Sequence, residues 1–142
     1  MVKGLLDTCV VSELLNPRGN PDVTKSVRRI DDANLFLSVL TIGEITKGLH
    51  RLADGRRRNA IETWLATVES AYGERMLPVD ASVARVWGEL SARARNRGVA
   101  LPVTDGLIAA TAHVHGLSVV TRNVVGFVDT GVPLIDPWQD GA

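Results

Sequence analysis

Three acids lie far apart in the chain, Asp7, Glu44 and Asp105, and each falls where one structural element is expected to end or the next to begin. Brought to one place, they could not all stay ionised and unscreened. Two carboxylates about 4 Å apart repel by roughly 4 kcal/mol at an effective dielectric of about 20. Protons or a cation must offset that repulsion. Oxygen ligands with no supporting Cys–His cluster point to Mg²⁺ or Mn²⁺ rather than zinc. Mg²⁺ held by carboxylates keeps several waters, lowers the pKa of one of them and grips a phosphate oxygen as a Lewis acid. That is the chemistry of phosphodiester hydrolysis, with Asp7, Glu44 and Asp105 as candidate metal ligands.

Each acid taken alone also has a structural explanation. Thr41-Ile42-Gly43-Glu44 fits the capping box, in which Thr41 and Glu44 satisfy each other's backbone donors. Asp105 follows Thr104 at an expected helix start, where a carboxylate favours the positive end of the dipole. Asp7 could simply begin a turn after a strand. The functional reading rests on the three as a set.

The elements that must position them alternate. Short runs at 3–7, 35–39, 76–79, 117–121 and 132–135 are apolar on both faces, as expected for parallel strands covered by helices. Helices are expected over 12–15, 22–30, 41–53, 57–72, 80–96 and 104–115, with Gly98 and Gly116 as stops. The pair at 41–53 and 57–72 should form a hairpin across Asp54-Gly55. The alternation implies an α/β fold of three layers, a central, mainly parallel sheet of about five short strands between helices. In such sheets ligands bind beyond the carboxyl ends of the strands. Asp7 ends the first strand, Thr121-Arg122-Asn123 ends the fourth, and Glu44 and Asp105 are expected in the first turns of helices delivered from elsewhere.

A length of 142 residues suits one domain, 1–142, with a core that needs no staples. One cysteine forms no internal disulfide, the N-terminal apolar run is too short for a signal peptide, and no stretch suits a membrane span. A cytoplasmic location is expected. The net charge is zero, which by itself argues against a polyanionic partner, but 13 of the 16 basic residues are arginine. Several cluster, as Arg28-Arg29, Arg56-Arg57-Arg58 and Arg93/Arg95/Arg97. Such clusters are either solvated faces or contacts for phosphate, which the planar guanidinium suits.

Four segments are also familiar together. Leu6-Asp7-Thr8, Glu44 within 38–48, the run from Val103-Thr104-Asp105-Gly106 to Ala112, and Val120-Thr121-Arg122-Asn123 resemble the PIN-domain nucleases. The likeness is to the VapC/FitB-like toxins of bacterial type II toxin–antitoxin pairs. Each fragment is weakly specific, but the four occur in family order and the likeness extends to 131–138. It implies a ribonuclease that uses Mg²⁺ or Mn²⁺, acts as a homodimer and is silenced by a small antitoxin, which would also carry the pair to operator DNA. By that likeness Asp7, Glu44 and Asp105 form the acidic metal site. Thr121 and Asn123 take the fourth corner, where many members place an aspartate. An amide coordinates more weakly than a carboxylate, which weakens the case for a second ion. Many relatives have asparagine where this chain has Cys9, and an acid near Gly126. An antitoxin segment folding over the 41–72 hairpin, with a basic side chain aimed at the acids, is the expected inhibitor.

Other residues invite a role and are assigned none. Cys9 has no activating histidine nearby in sequence, so a small, mostly buried thiol is expected. His113 and His115 are two apart on a helix and point away from each other. Trp87 should be core or dimer contact, and Trp64 and Trp138 packing residues rather than base platforms. Receiver and haloacid-dehalogenase proteins also place an aspartate after a first strand, but they need a second acid close by, and Leu6-Asp7-Thr8-Cys9-Val10 has none. The other alternative is a PIN-fold nucleic-acid-binding or scaffold protein that has lost catalysis, which the weakened fourth corner keeps open.

Overall fold

Consecutive strand residues turn to opposite faces of a sheet, and here both faces are apolar. The computed structural model describes residues 1–140. Strands β1 (Gly4–Leu6), β2 (Leu35–Ser38), β3 (Met76–Leu77), β4 (Ser118–Val120) and β5 (Leu134–Ile135) form one parallel sheet in the order β3-β2-β1-β4-β5. Leu5 and Val119 face one core, while the next residues, Leu6 and Val120, face the other. All four are essentially inaccessible to solvent. Short strands buried on both sides need helices on both sides, and the fold expected from the sequence is the fold found.

The helices are α1 (Thr8–Leu15), α2 (Pro21–Arg28), α3 (Val39–Leu49), α4 (Arg56–Tyr72), α5 (Ala81–Asn96), α6 (Val103–His115), α7 (Val124–Phe127) and α8 (Pro137–Asp140). Residues of α1 to α4, with Trp138 of α8, pack on the Leu6 face. Residues of α5, α6 and α7 pack on the Leu5 face. On that second side α6 approaches α5 closely because Gly106 has no side chain: a Cβ there would lie 2.9 Å from Cδ1 of Trp87. Trp87 is thus core, one of the two roles expected for it. Gly116 ends α6 at φ 68°, a left-handed value that favours glycine, as the sequence predicts.

The expected hairpin of α3 and α4 is present. Arg58 fastens it by donating from Nη1 to the carbonyls of Leu49 (2.9 Å) and Leu52 (2.8 Å), at and just past the end of α3.

Three expectations are corrected. Helix α1 starts at Thr8 rather than residue 12, because Asp7 leaves β1 in extended conformation and caps the helix at once. Helix α3 starts at Val39, not at residue 41, because the Ser38 hydroxyl accepts from the Leu40 N–H at 3.1 Å and acts as the cap. Thr41 and Glu44 therefore form no capping box, and Glu44 lies in the second turn rather than the first. Helices α7 and α8 were not anticipated: at four residues each, they carry too little periodicity to be read. Among the described residues no helix is long and apolar enough to cross a membrane.

Candidate functional site

The chain leaves β1 toward β2 on one side and later returns to β4 on the other, so the carboxyl ends of β1 and β4 flank a topological switch point. Register pairs Leu6 with Val120. The next residues, Asp7 and Thr121, consequently emerge side by side. The Asp7 N–H donates to the Val120 carbonyl (2.9 Å), and the Thr121 hydroxyl donates to Oδ2 of Asp7 (2.8 Å). The Thr8 N–H donates to Oδ1 at 2.9 Å. Asp7 is left only 8% exposed and Thr121 fully buried. Both carboxylate oxygens of Asp7 are thereby fixed in direction.

Glu44 comes from α3 and is reached from α1. The Thr8 hydroxyl donates to its Oε1 at 2.6 Å and lies 3.1 Å from the buried Thr41 hydroxyl. Thr8 thus contacts Asp7 through its amide and Glu44 through its side chain. Its role was not foreseen. The sequence sets it beside Asp7, but nothing there shows that α3 passes within reach, 36 residues later.

Asp105 is the third residue of α6, in its first turn as expected. Among the described residues its one hydrogen-bond neighbour is Asn123, whose Nδ2 donates weakly to Oδ2 at 3.4 Å. Asn123 is itself anchored by its N–H, which donates to the Thr121 hydroxyl (2.9 Å). A Cβ at Gly126 would collide with the Asn123 amide, so the missing side chain at 126 makes room for asparagine at 123. The fully buried Phe127 then fixes α7 to the core. All five candidate residues, Asp7, Glu44, Asp105, Thr121 and Asn123, are therefore gathered at one rim.

The electrostatics of that rim are lopsided. Burial raises the Asp105 carboxyl above its usual range, and the negative charges of Asp7 and Glu44 raise it further. Among the described residues no lysine or arginine forms an ion pair with any of the three acids. The donors on offer are carboxylate, hydroxyl and amide oxygens, a hard set suited to Mg²⁺ or Mn²⁺. As the side chains stand, no three Asp, Glu, His or Cys residues among those described are close enough to hold one ion together. Mg²⁺ does not require three: it is commonly held by one or two carboxylates with waters completing the octahedron. The residues fit such an ion in chemistry and charge.

The neighbouring residues fall into place with one correction. Cys9 is exposed rather than mostly buried. Its sulfur turns toward Oδ2 of Asp7 (3.6 Å) and the Thr121 hydroxyl (3.7 Å). Desolvation there, more than the nearby Asp7 charge, raises its pKa, which disfavours the thiolate a nucleophile needs. Nε2 of His113 lies 2.7 Å from the Thr130 carbonyl, a structural bond. Trp64 and Trp138 are half-buried against the Leu6-side core, and the Arg122 guanidinium lies over the Trp138 ring at 5.0 Å.

A parallel α/β sheet with acids gathered at its switch point sets the fold class and the place of the candidate site, and sequence comparison gives the family. The PIN domain family matches residues 4–131, and the chain belongs to that family. It is 33% identical over 137 residues to Toxin FitB of Neisseria gonorrhoeae, covering 96% of this chain and 99% of that protein. It is 35% identical to VapC ribonuclease Y4jK of Sinorhizobium fredii, covering 95% and 97%. A solved structure of FitAB bound to an IR36 DNA fragment superposes with TM-score 0.85 at 31% identity, covering 95% of each chain.

Proposed function

We propose that this chain is an endoribonuclease toxin that hydrolyses RNA phosphodiester bonds with Mg²⁺ or Mn²⁺ and is held inactive by a cognate antitoxin. The observation that carries the proposal is the meeting of Asp7, Glu44 and Asp105 at one rim, where the charges of the first two raise the pKa of the third and no cationic side chain among the described residues pairs with them. Membership of the PIN family and the likeness to a named ribonuclease and a named toxin support it.

Asp7, Glu44 and Asp105 would hold the metal, which when bound supplies an acidified water and a Lewis acid for a phosphate oxygen. The protein's own part is positioning. Thr121 and the Thr8 amide fix the direction of Asp7, the Thr8 hydroxyl fixes Glu44, and Asn123 steadies Asp105. Asn123 and Thr121 form the fourth corner. An amide there adds no charge, which favours a single ion.

The same reading makes the protein a cytoplasmic homodimer. A small antitoxin would lay a segment over the α3–α4 hairpin with a basic group toward the acids, and the DNA-bound FitAB structure supports an assembly of the pair on operator DNA. The test is cleavage of total tRNA and ribosomal RNA by purified, antitoxin-free protein with Mg²⁺, Mn²⁺ or EDTA, beside Asp7→Asn and Asp105→Asn. Metal-dependent cutting lost in both variants is expected. Cutting that survives both substitutions contradicts the assigned site, and no cutting of any RNA favours a PIN domain that has lost catalysis.

A further inference from the structure

The acid rim repels a polyanion, and the chain as a whole has no net charge to attract one. Its positive charge is concentrated locally instead. Arg56, Arg57 and Arg58 occupy the first turn of α4, with no acid among them, although the helix dipole favours acids at that end. The N-cap is Gly55, whose backbone (φ 150°) suits glycine and which offers no side chain to cap the first turn. Three cations in so unfavourable a place call for a use.

The three differ. Arg58 is accounted for: it bonds two α3 carbonyls and pairs with Glu62 at 3.0 Å. Arg56 and Arg57 are exposed and have no carboxylate within ion-pair distance among the described residues, and the same holds for Arg18 beyond the end of α1. Among the described residues Arg57 donates only to the Ser12 hydroxyl, at 3.1 Å. Arg18, Arg56 and Arg57 line one cavity of about 440 Å³ together with Asn16 and Pro17. Arg57 also lines the adjoining cavity of about 410 Å³, whose other walls include Thr8, Cys9 and Glu44. Arg57 therefore stands between the two cavities, one of them walled by Glu44 and the other by Arg18 and Arg56.

We propose that Arg18, Arg56 and Arg57 form a phosphate subsite that grips the RNA backbone away from the bond being cut. The proposal rests on the ribonuclease reading above. Guanidinium forks match phosphate geometry, and the uncapped N–H groups of α4 add donors of the same kind. A chain with phosphates in both cavities would be held at the arginine end and presented to the acids at the other. The basic antitoxin group proposed to face the acids gains nothing from these arginines, whereas an RNA phosphate does, so RNA is the occupant they favour.

The test compares wild type, Arg18→Ala/Arg56→Ala and the control Arg85→Ala, on exposed α5 surface, after thermal melts confirm that all three are folded. A labelled single-stranded RNA long enough to span both cavities is bound in EDTA over a salt series, so the result does not depend on cutting. The double variant is expected to bind about tenfold more weakly. Its plot of log affinity against log salt should be shallower by about 1.4, the share of two phosphate contacts on single strands. With metal added, KM should rise while kcat holds.

Equal binding and salt slope in wild type and double variant overturn the inference, as does a wild type that binds no RNA at low salt. So does a double variant that loses only its antitoxin, which would assign the arginines to a protein partner. RNA binding through these arginines with no cutting would refute the nuclease reading and leave the subsite standing. Cutting with unaltered KM in the double variant would do the reverse.

Discussion

The two acids at the switch point are held in opposite ways. Asp7 is nearly buried, and its oxygens receive the Thr121 hydroxyl at 2.8 Å and the Thr8 amide at 2.9 Å. Asp105 lies across from it with one weak hydrogen bond among the described residues, from Asn123 at 3.4 Å, and carries a pKa raised by burial and by its neighbours' charge. One wall of the site is preorganised by hydrogen bonds, and the other holds charge that no cationic side chain among the described residues pairs with. Under the proposed function, a cation would be directed by the fixed wall and would relieve the charge on the other.

The comparison breaks most sharply at Asp7. Asp7→Asn should cut RNA cleavage by more than about 100-fold, since even the partners that orient metal ligands are worth roughly 10–100-fold. Steady-state cleavage of a defined RNA is the check. Thr121→Val removes the donor and leaves Asp7 in place, so a loss of about 10–100-fold is expected, with Mn²⁺ affinity falling in parallel. Val is close in shape, so a larger effect on folding than on metal affinity would mean that Thr121 serves the core instead.

On the other wall the effects on positioning and stability are small, although Asp105 itself is needed for cleavage. Gly126→Ala forces the Asn123 amide aside and should reduce cleavage by a few fold while Asp7-dependent metal binding persists. Asp105→Asn should abolish cleavage yet raise the melting temperature in EDTA by about 2 °C. The sign follows from the raised pKa. The folded state binds the Asp105 proton more tightly than the unfolded chain, so the destabilising charge is fully present above the folded pKa and disappears as pH falls below the ordinary carboxylate range. The thermal gain of the variant should therefore shrink on acidification. A gain that is constant with pH would mean that repulsion is not its source.

What the sequence reveals divides along similar lines. Strands that are apolar on both faces announce a covered parallel sheet, and glycines 98 and 116 announce helix ends, because those signals are local. Asp7, Glu44 and Asp105 could be singled out only as a set, and the four segments in family order carry that reading. Thr121 and Asn123 are legible through the family likeness, but the bonds by which Thr8 and Thr121 hold the acids are not. Thr8 meets Glu44 across 36 residues and Thr121 meets Asp7 across 114, and such pairings follow from sheet order rather than from spacing. Ser38 displaced Thr41 as the cap of α3 because both hydroxyl residues fit the local pattern, and the extent of β2 decides between them. The contact of Gly126 with Asn123 is invisible until α7, itself too short to read, folds back.

Calorimetric titration of Mn²⁺ into the antitoxin-free protein tests most directly the claim that the rim is built for a cation. One saturable binding event in the wild type, lost in both Asp7→Asn and Asp105→Asn, is the predicted result. No heat of binding in the wild type, or an event that both variants retain, would contradict it.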